Sequence, residues 1–131
     1  MNINNDIEFK KWVISKANDE HFKIEDDKVI LADIIDVTLA EFSLSFEVLM
    51  NVVEKINTSS GNVKGHQYYI QMGRTCFTIV DLIPFMGEMV INNDFVNKSF
   101  NWSEHSGMIG ALKEAIYYIY KEGMKWKISD I

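Results

Sequence analysis

Acid–base or metal chemistry in this chain would have to start from its histidines, and His21, His66 and His105 stand about 40 residues apart with no second ligand at helix or loop spacing. Scattered surface or capping histidines are the expected reading. Glu104-His105 is the nearest approach to an acid–base pair, yet neighbours on a helix point apart, so no dyad is expected. The single Cys76 cannot close an internal disulfide and lies in the apolar run Thr75 to Val80, where it reads as a small buried hydrophobe and not as a nucleophile. Gly107 and Gly110 form Gly-x-x-Gly without the strand and tight turn of a phosphate cradle. Close approach of a helix to the sheet is expected there ahead of an anion site. The chain therefore reads as no enzyme, with no catalytic residue, no metal ligand and no cofactor.

Binding chemistry is better represented. Eight acids between Asp19 and Glu41, among them Glu25, Asp26, Asp27, Asp33 and Asp36, stand against Lys23 and Lys28 alone, a local balance of −6 that equals the charge of the whole chain. Such a segment suits a basic protein surface, and a nucleic-acid-processing host protein would supply one. Near the other end, Tyr117, Tyr118, Tyr120 and Trp126 lie among Lys121, Lys125 and Lys127. Aromatics beside charge are common in protein interfaces, and the competing reading is that Tyr120 and Trp126 seal the edge of the core. Tyr68, Tyr69 and Phe77 could stack bases, but Gly73 to Val80 lacks the basic-glycine-aromatic order of an RNA-binding strand. With a net charge of −6, direct nucleic-acid binding is not expected.

These groups must be positioned by a small set of elements. A chain of 131 residues, 47% apolar and 24% charged, has the size and composition of one globular domain. No apolar run approaches the roughly 18 to 20 residues that span a bilayer, and Met1 to Asp6 lacks the layout of a signal peptide. A cytoplasmic protein without membrane contact is the expectation. Phe9, Trp12, Val13 and Lys16 predict a first helix over Asp6 to Ala17 with Asn5 as its cap. Residues 21–44 allow either a hairpin around Asp26 and Asp27 or a loop feeding a helix through Leu39.

Ser45 caps a second helix with Phe46, Leu49, Met50, Val53 and Ile56 on one face, ending in the polar run Asn57 to Asn62. His66–Met72 and Thr75–Asp81 then predict a hairpin about Gly73-Arg74, and Phe85–Ile91 a third strand closed by Asn92-Asn93-Asp94. A last helix is predicted from Ser103 to Glu122, capped by Asn101 or Ser103, with Met108, Leu112, Ala115, Ile116 and Ile119 as its stripe and Gly123 as its stop.

The stretch Phe42 to Ile56, with Ser45-Phe46-Glu47-Val48-Leu49-Met50 and Val52-Val53-Glu54-Lys55-Ile56, resembles the opening helix of short uncharacterised proteins of phages and phage-derived elements. Ala111 to Ile119 looks like the closing helix of that group. The likeness covers about Phe42 to Glu122 and implies a mobile-element origin and a helix-sheet-helix scaffold, with no catalytic residues to carry over.

The expected fold is α+β, a three-stranded antiparallel sheet covered by two long helices with an additional N-terminal helix. It forms one domain over 1–131, with an acidic third at 1–41 and the helix-sheet-helix core at 42–123. The expected function is a small protein-binding accessory of a phage or mobile element, in its sharpest form an inhibitor of a host defence nuclease. A toxin-neutralising immunity protein is one alternative, and a small-molecule binder or enzyme with a cryptic site is another. The partner-binding candidates are Glu25, Asp26, Asp27, Asp33, Asp36, Tyr117, Tyr120 and Trp126.

Overall fold

The computed structural model describes residues 6–17, 22–25, 28–31, 35–39, 41–58, 67–95 and 97–129, without the side chains of 31 and 123–129. In chain order the elements are α1 (Ile7–Ala17), β1 (Phe22–Glu25), β2 (Lys28–Leu31), β3 (Ile35–Thr38), α2 (Phe46–Thr58), β4 (Gln67–Met72), β5 (Cys76–Phe85), β6 (Glu88–Ile91), β7 (Lys98–Asn101) and α3 (Met108–Ser129). The class is α+β, but the expected single three-stranded sheet under two long helices is overturned. Among the described residues there are three α-helices and two antiparallel sheets, one of three strands and one of four. The chain divides into two compact units, Met1–Val52 and Val53–Ile131, and the division falls within α2. None of the described helices is long and apolar enough to cross a membrane.

In the first unit α1 begins at Asp6, whose Oδ1 accepts the Phe9 N–H at 3.0 Å. The cap is thus Asp6, while Asn5 lies outside the described residues. The helix buries Phe9, Lys10, Val13, Ile14 and Ala17: Phe9 and Val13 lie inside as predicted, but the buried face is rotated toward Lys10 and Ile14, leaving Trp12 half-buried and Lys16 exposed. Lys10 can be buried because its Nζ donates to the Leu39 carbonyl at 2.8 Å, and its four methylenes pack while the ammonium is satisfied.

The acidic segment resolves into a meander. Glu25 faces Lys28 across β1 and β2, and Ile30 faces Asp36 across β2 and β3. The helix reading through Leu39 is overturned, since Ile35–Thr38 is a strand. Period-2 alternation explains it. Phe22, Ile24, Val29 and Val37 share one face and are buried or half-buried, whereas Lys23, Glu25, Lys28 and Asp36 share the other and are exposed.

α2 starts as expected, with the Ser45 Oγ accepting the Val48 N–H at 3.3 Å, and buries Val48, Leu49, Val52, Val53 and Ile56. In the second unit its last turn closes the edge of β4. The Asn57 side chain accepts the Ile70 N–H through Oδ1 at 2.9 Å and donates to the Ile70 carbonyl through Nδ2 at 3.1 Å. One amide thereby does what a further strand would do. Gln67 adds a bond from its Nε2 to the Asn57 carbonyl at 3.0 Å.

β4 and β5 form the predicted hairpin, from Met72 opposite Phe77 to Gln67 opposite Leu82. β5 does not stop at Asp81 but runs on through Pro84 to Phe85, and the predicted strand Phe85–Ile91 is divided by a turn at Met86-Gly87. β7, which the sequence reading lacked, joins the same edge of β5 as β6, with Cys76 opposite Asn101 and Ile79 opposite Lys98. α3 covers the face of this sheet that carries Phe77 and Ile79, where Leu112, Ala115 and Ile116 are fully buried.

The last helix differs at both ends. A short 3₁₀ turn over Trp102–Glu104 precedes it, and Ser106 and Gly107, with φ of 62° and 97°, separate the two. Gly110 then packs against the His105 carbonyl so closely that a Cβ would overlap it. The close approach of this glycine is made to the preceding turn and not, as expected, to the sheet. Gly123 does not stop the helix, which continues to Ser129. Cys76 is half-buried and not fully inside, because it sits on the opposite face of β5 from Phe77.

Asn57→Ala is expected to destabilise the protein by about 1–3 kcal/mol, because it leaves the N–H and carbonyl of buried Ile70 without their amide partner. Urea unfolding reads the change, and Asn57→Asp, which keeps the acceptor and loses the donor, should fall between.

Candidate interaction surface

β5 and β6 leave the body of the sheet together. β4 ends its pairing at Leu82, so Ile83–Phe85 and their partners Glu88–Val90 form a two-stranded ribbon with no third strand among the described residues. Large apolar side chains are exposed along it and at its root: Phe85 is 60% exposed, Met86 89%, Met89 38% and, opposite Leu82, Ile91 58%. Taking roughly 200 Å² for each such side chain, the exposed apolar area is on the order of 500 Å², divided by strand alternation between the face of Phe85 and the face of Met89 and Ile91, with Met86 at the tip between them.

The turn at the tip carries a cost. Phe85 faces Glu88, leaving a two-residue loop in which Met86 has φ 51° and Gly87 φ 82°. Both residues have the positive φ of the tight hairpin turn that matches the twist of the flanking strands, and Asn-Gly is its preferred sequence. Gly87 fits. Met86 does not, since a side chain in the left-handed region costs about 1–2 kcal/mol and at this exposure recovers almost nothing by burial. An apolar residue held where it weakens the fold and meets only solvent is a candidate for contact with something else. The signal was present in the sequence as Met-Gly between two apolar runs, but without Asn or Asp it read as continuous strand.

At its base the ribbon is anchored on Asp81, which is 2% exposed in the middle of β5. Asn92 Nδ2 donates to Asp81 Oδ2, and the Asn92 N–H donates to the Asp81 carbonyl, both at 2.9 Å. Around this pair stand aromatic rings: Tyr68 lies 5.9 Å from Phe95 and 6.4 Å from Tyr118, and Phe100 lies 6.4 Å from Tyr118. Burial, followed by the negative charges of Glu122 and Asp81, raises the Tyr118 phenol above the usual tyrosine range. Burial lowers the Lys113 ammonium on the same helix.

The sequence candidates fall elsewhere. Glu25 and Asp36 are exposed on the outer face of the meander, where Glu25 faces Lys28 directly. Asp26, Asp27 and Asp33 lie outside the described residues, as does the Trp126 side chain. Tyr117 and Tyr120 are brought together on α3, their rings stacked at 5.9 Å, with Lys121 Nζ 5.1 Å from the Tyr117 ring. Tyr120 is 8% exposed, as a residue sealing the core would be. His105 packs its ring 5.5 Å from Phe100, and the neighbouring Glu104 accepts from Asn101 Nδ2 at 3.2 Å. Among the described residues no group of three or more His, Cys, Asp or Glu side chains is placed to hold a metal ion. Compared with family models, curated proteins and solved structures, the chain matches none.

Met86→Asn is expected to stabilise the fold by about 1 kcal/mol, since asparagine tolerates the left-handed conformation, and a higher urea midpoint with unchanged slope is the signature. The Tyr118 shift has its own consequence. A folded-state pKa raised above the unfolded value contributes stability that is complete below about pH 10 and is lost as pH rises through the folded value. Tyr118→Phe should therefore remove a late component of the alkaline absorbance titration and flatten the loss of stability above pH 10, against the opposite and unchanged contribution of Lys113.

Proposed function

We propose that the chain is a small protein-binding accessory of phage or mobile-element origin, cytoplasmic and not an enzyme, which inhibits a host defence nuclease by docking the β5–β6 ribbon against it. The observation that carries the reading is the tip of the ribbon, where Phe85 and Met86 are 60% and 89% exposed and Met86 holds a left-handed conformation. Large side chains of this kind supply most of the energy of small interfaces when a partner desolvates them.

Charge supports the nature of the partner. The net charge is −6, and between Thr75 and Asn97 there are three acids and no lysine or arginine. A nuclease presents basic surface for its substrate, so the net acidity of the chain speeds encounter by long-range attraction. The mobile-element origin is supported by the likeness of Phe42 to Ile56 and Ala111 to Ile119 to short phage proteins.

Capture from a host lysate with the tagged protein is expected to retain one stoichiometric partner. The double variant Phe85→Ser, Met86→Ser should lose about 30-fold or more in affinity, the scale of a truncated hot spot, with an unchanged circular-dichroism spectrum. Equal capture by the variant would remove the ribbon from the interface. A secreted toxin in place of a nuclease would make the chain an immunity protein.

A further inference from the structure

The two edges of the ribbon are not alike. In an antiparallel ladder narrow and wide pairs alternate, and residues in wide pairs turn their backbone groups away from the partner strand. The bond from the Asn92 N–H to the Asp81 carbonyl fixes the phase, with narrow pairs at 83/90 and 85/88 and wide pairs at 82/91 and 84/89. On the β5 edge, beyond the end of β4, the outward-turned residue is Pro84, which has no N–H to offer. On the β6 edge Met89 and Ile91 turn both N–H and carbonyl outward, and no strand pairs with them among the described residues.

Folded proteins ordinarily blunt an exposed edge with lysine, proline or a bulge. Pro84 blunts one edge here. β6, Glu88-Met89-Val90-Ile91, carries none of these devices, and its outward residues are the apolar Met89 and Ile91. Resting on the reading of the chain as a protein binder, we propose that β6 is a strand-addition site for an extended partner segment with apolar side chains at alternate positions and lysine or arginine between or beside them. Charge selects that occupant. Glu88 and Asp94 are exposed in a stretch without a single base, so a cationic strand gains attraction where a second copy, itself at −6, would set like charges together.

The test uses the full chain, ¹⁵N-labelled, and a ten-residue synthetic peptide alternating valine and lysine, with a valine–glutamate peptide as control. Saturating lysine peptide is expected to slow amide exchange about tenfold or more at Met89 and Ile91, while Glu88 and Val90, already bonded to β5, change little. The glutamate peptide should give no protection. Met89→Pro removes an outward N–H without touching a bond to β5, so it should keep the spectrum of the folded protein and weaken peptide binding about tenfold or more.

Absence of protection at Met89 and Ile91, or equal peptide binding by Met89→Pro, overturns strand addition. Concentration-dependent protection without peptide overturns it too, in favour of a second copy on this edge. If a captured partner binds Met89→Pro as it binds wild type yet fails to bind Phe85→Ser, Met86→Ser, strand addition falls while the docking reading stands; if neither variant matters, both fall.

Discussion

The second unit is organised around a carboxylate that the sheet has taken inside. Burying the Asp81 side chain among Ile79, Tyr68 and Tyr118 would cost several kcal/mol without compensating hydrogen bonds, and the Asn92 amide supplies one at 2.9 Å. That bond, with its backbone companion, locks residue 92 opposite residue 81. Leu82 faces Ile91 and Ile79 faces Lys98, so only Val80 and Asp81 remain on that edge between the end of β6 and the start of β7. The surplus chain folds into a turn held by the Asn92 side chain, whose Oδ1 accepts the Asp94 N–H, and delivers the Phe95 ring onto Tyr68. The register of the ribbon, and with it which residues turn toward its open edges, follows from this one pairing.

What could be read from the sequence was whatever local chemistry decides. Ser45 caps α2 because a hydroxyl next to a helical run has a backbone N–H to satisfy, and β4 pairs with β5 because two β-rich runs meet at Gly73-Arg74. Longer-range causes defeated the reading. Lys10 could not be placed inside without knowing that the Leu39 carbonyl, 29 residues away, waits for its ammonium. Gly123 reads as a stop, but a helix continues through glycine when the loss of about 1 kcal/mol is offset by the rest of its packing. β7 spans only Lys98–Asn101, and its partner strand β5 also pairs with β4, a second pairing that no local pattern announces.

The candidate surface was legible only in part, for an electrostatic reason. Linear charge density drew attention to residues 19–41, yet the fold sets Glu25 against Lys28 and places Lys23 on the same face as Asp36 through Ile30. Among the described residues of that face, two acids meet two bases. In the ribbon and its return, by contrast, the few acids have no bases beside them in sequence, so a modest count leaves a field of one sign.

Stability is distributed to match. The body of the four-stranded sheet is held by α3 on one face and by the Asn57 clamp on the β4 edge, and its centre at Phe77 and Ile79 is fully buried. The ribbon has neither support: two strands alone are marginal in water, and Met86 adds strain at the tip. Local opening should therefore begin at the tip and stop at Leu82, where β4 takes over the pairing, and the Asp81–Asn92 bond holds the base in register. A segment that is loose at the end, fixed at the root and apolar but for Glu88 can adjust its twist to an incoming strand without disturbing the core. The sequence that weakens the ribbon as a fold is the same sequence that prepares it as a surface.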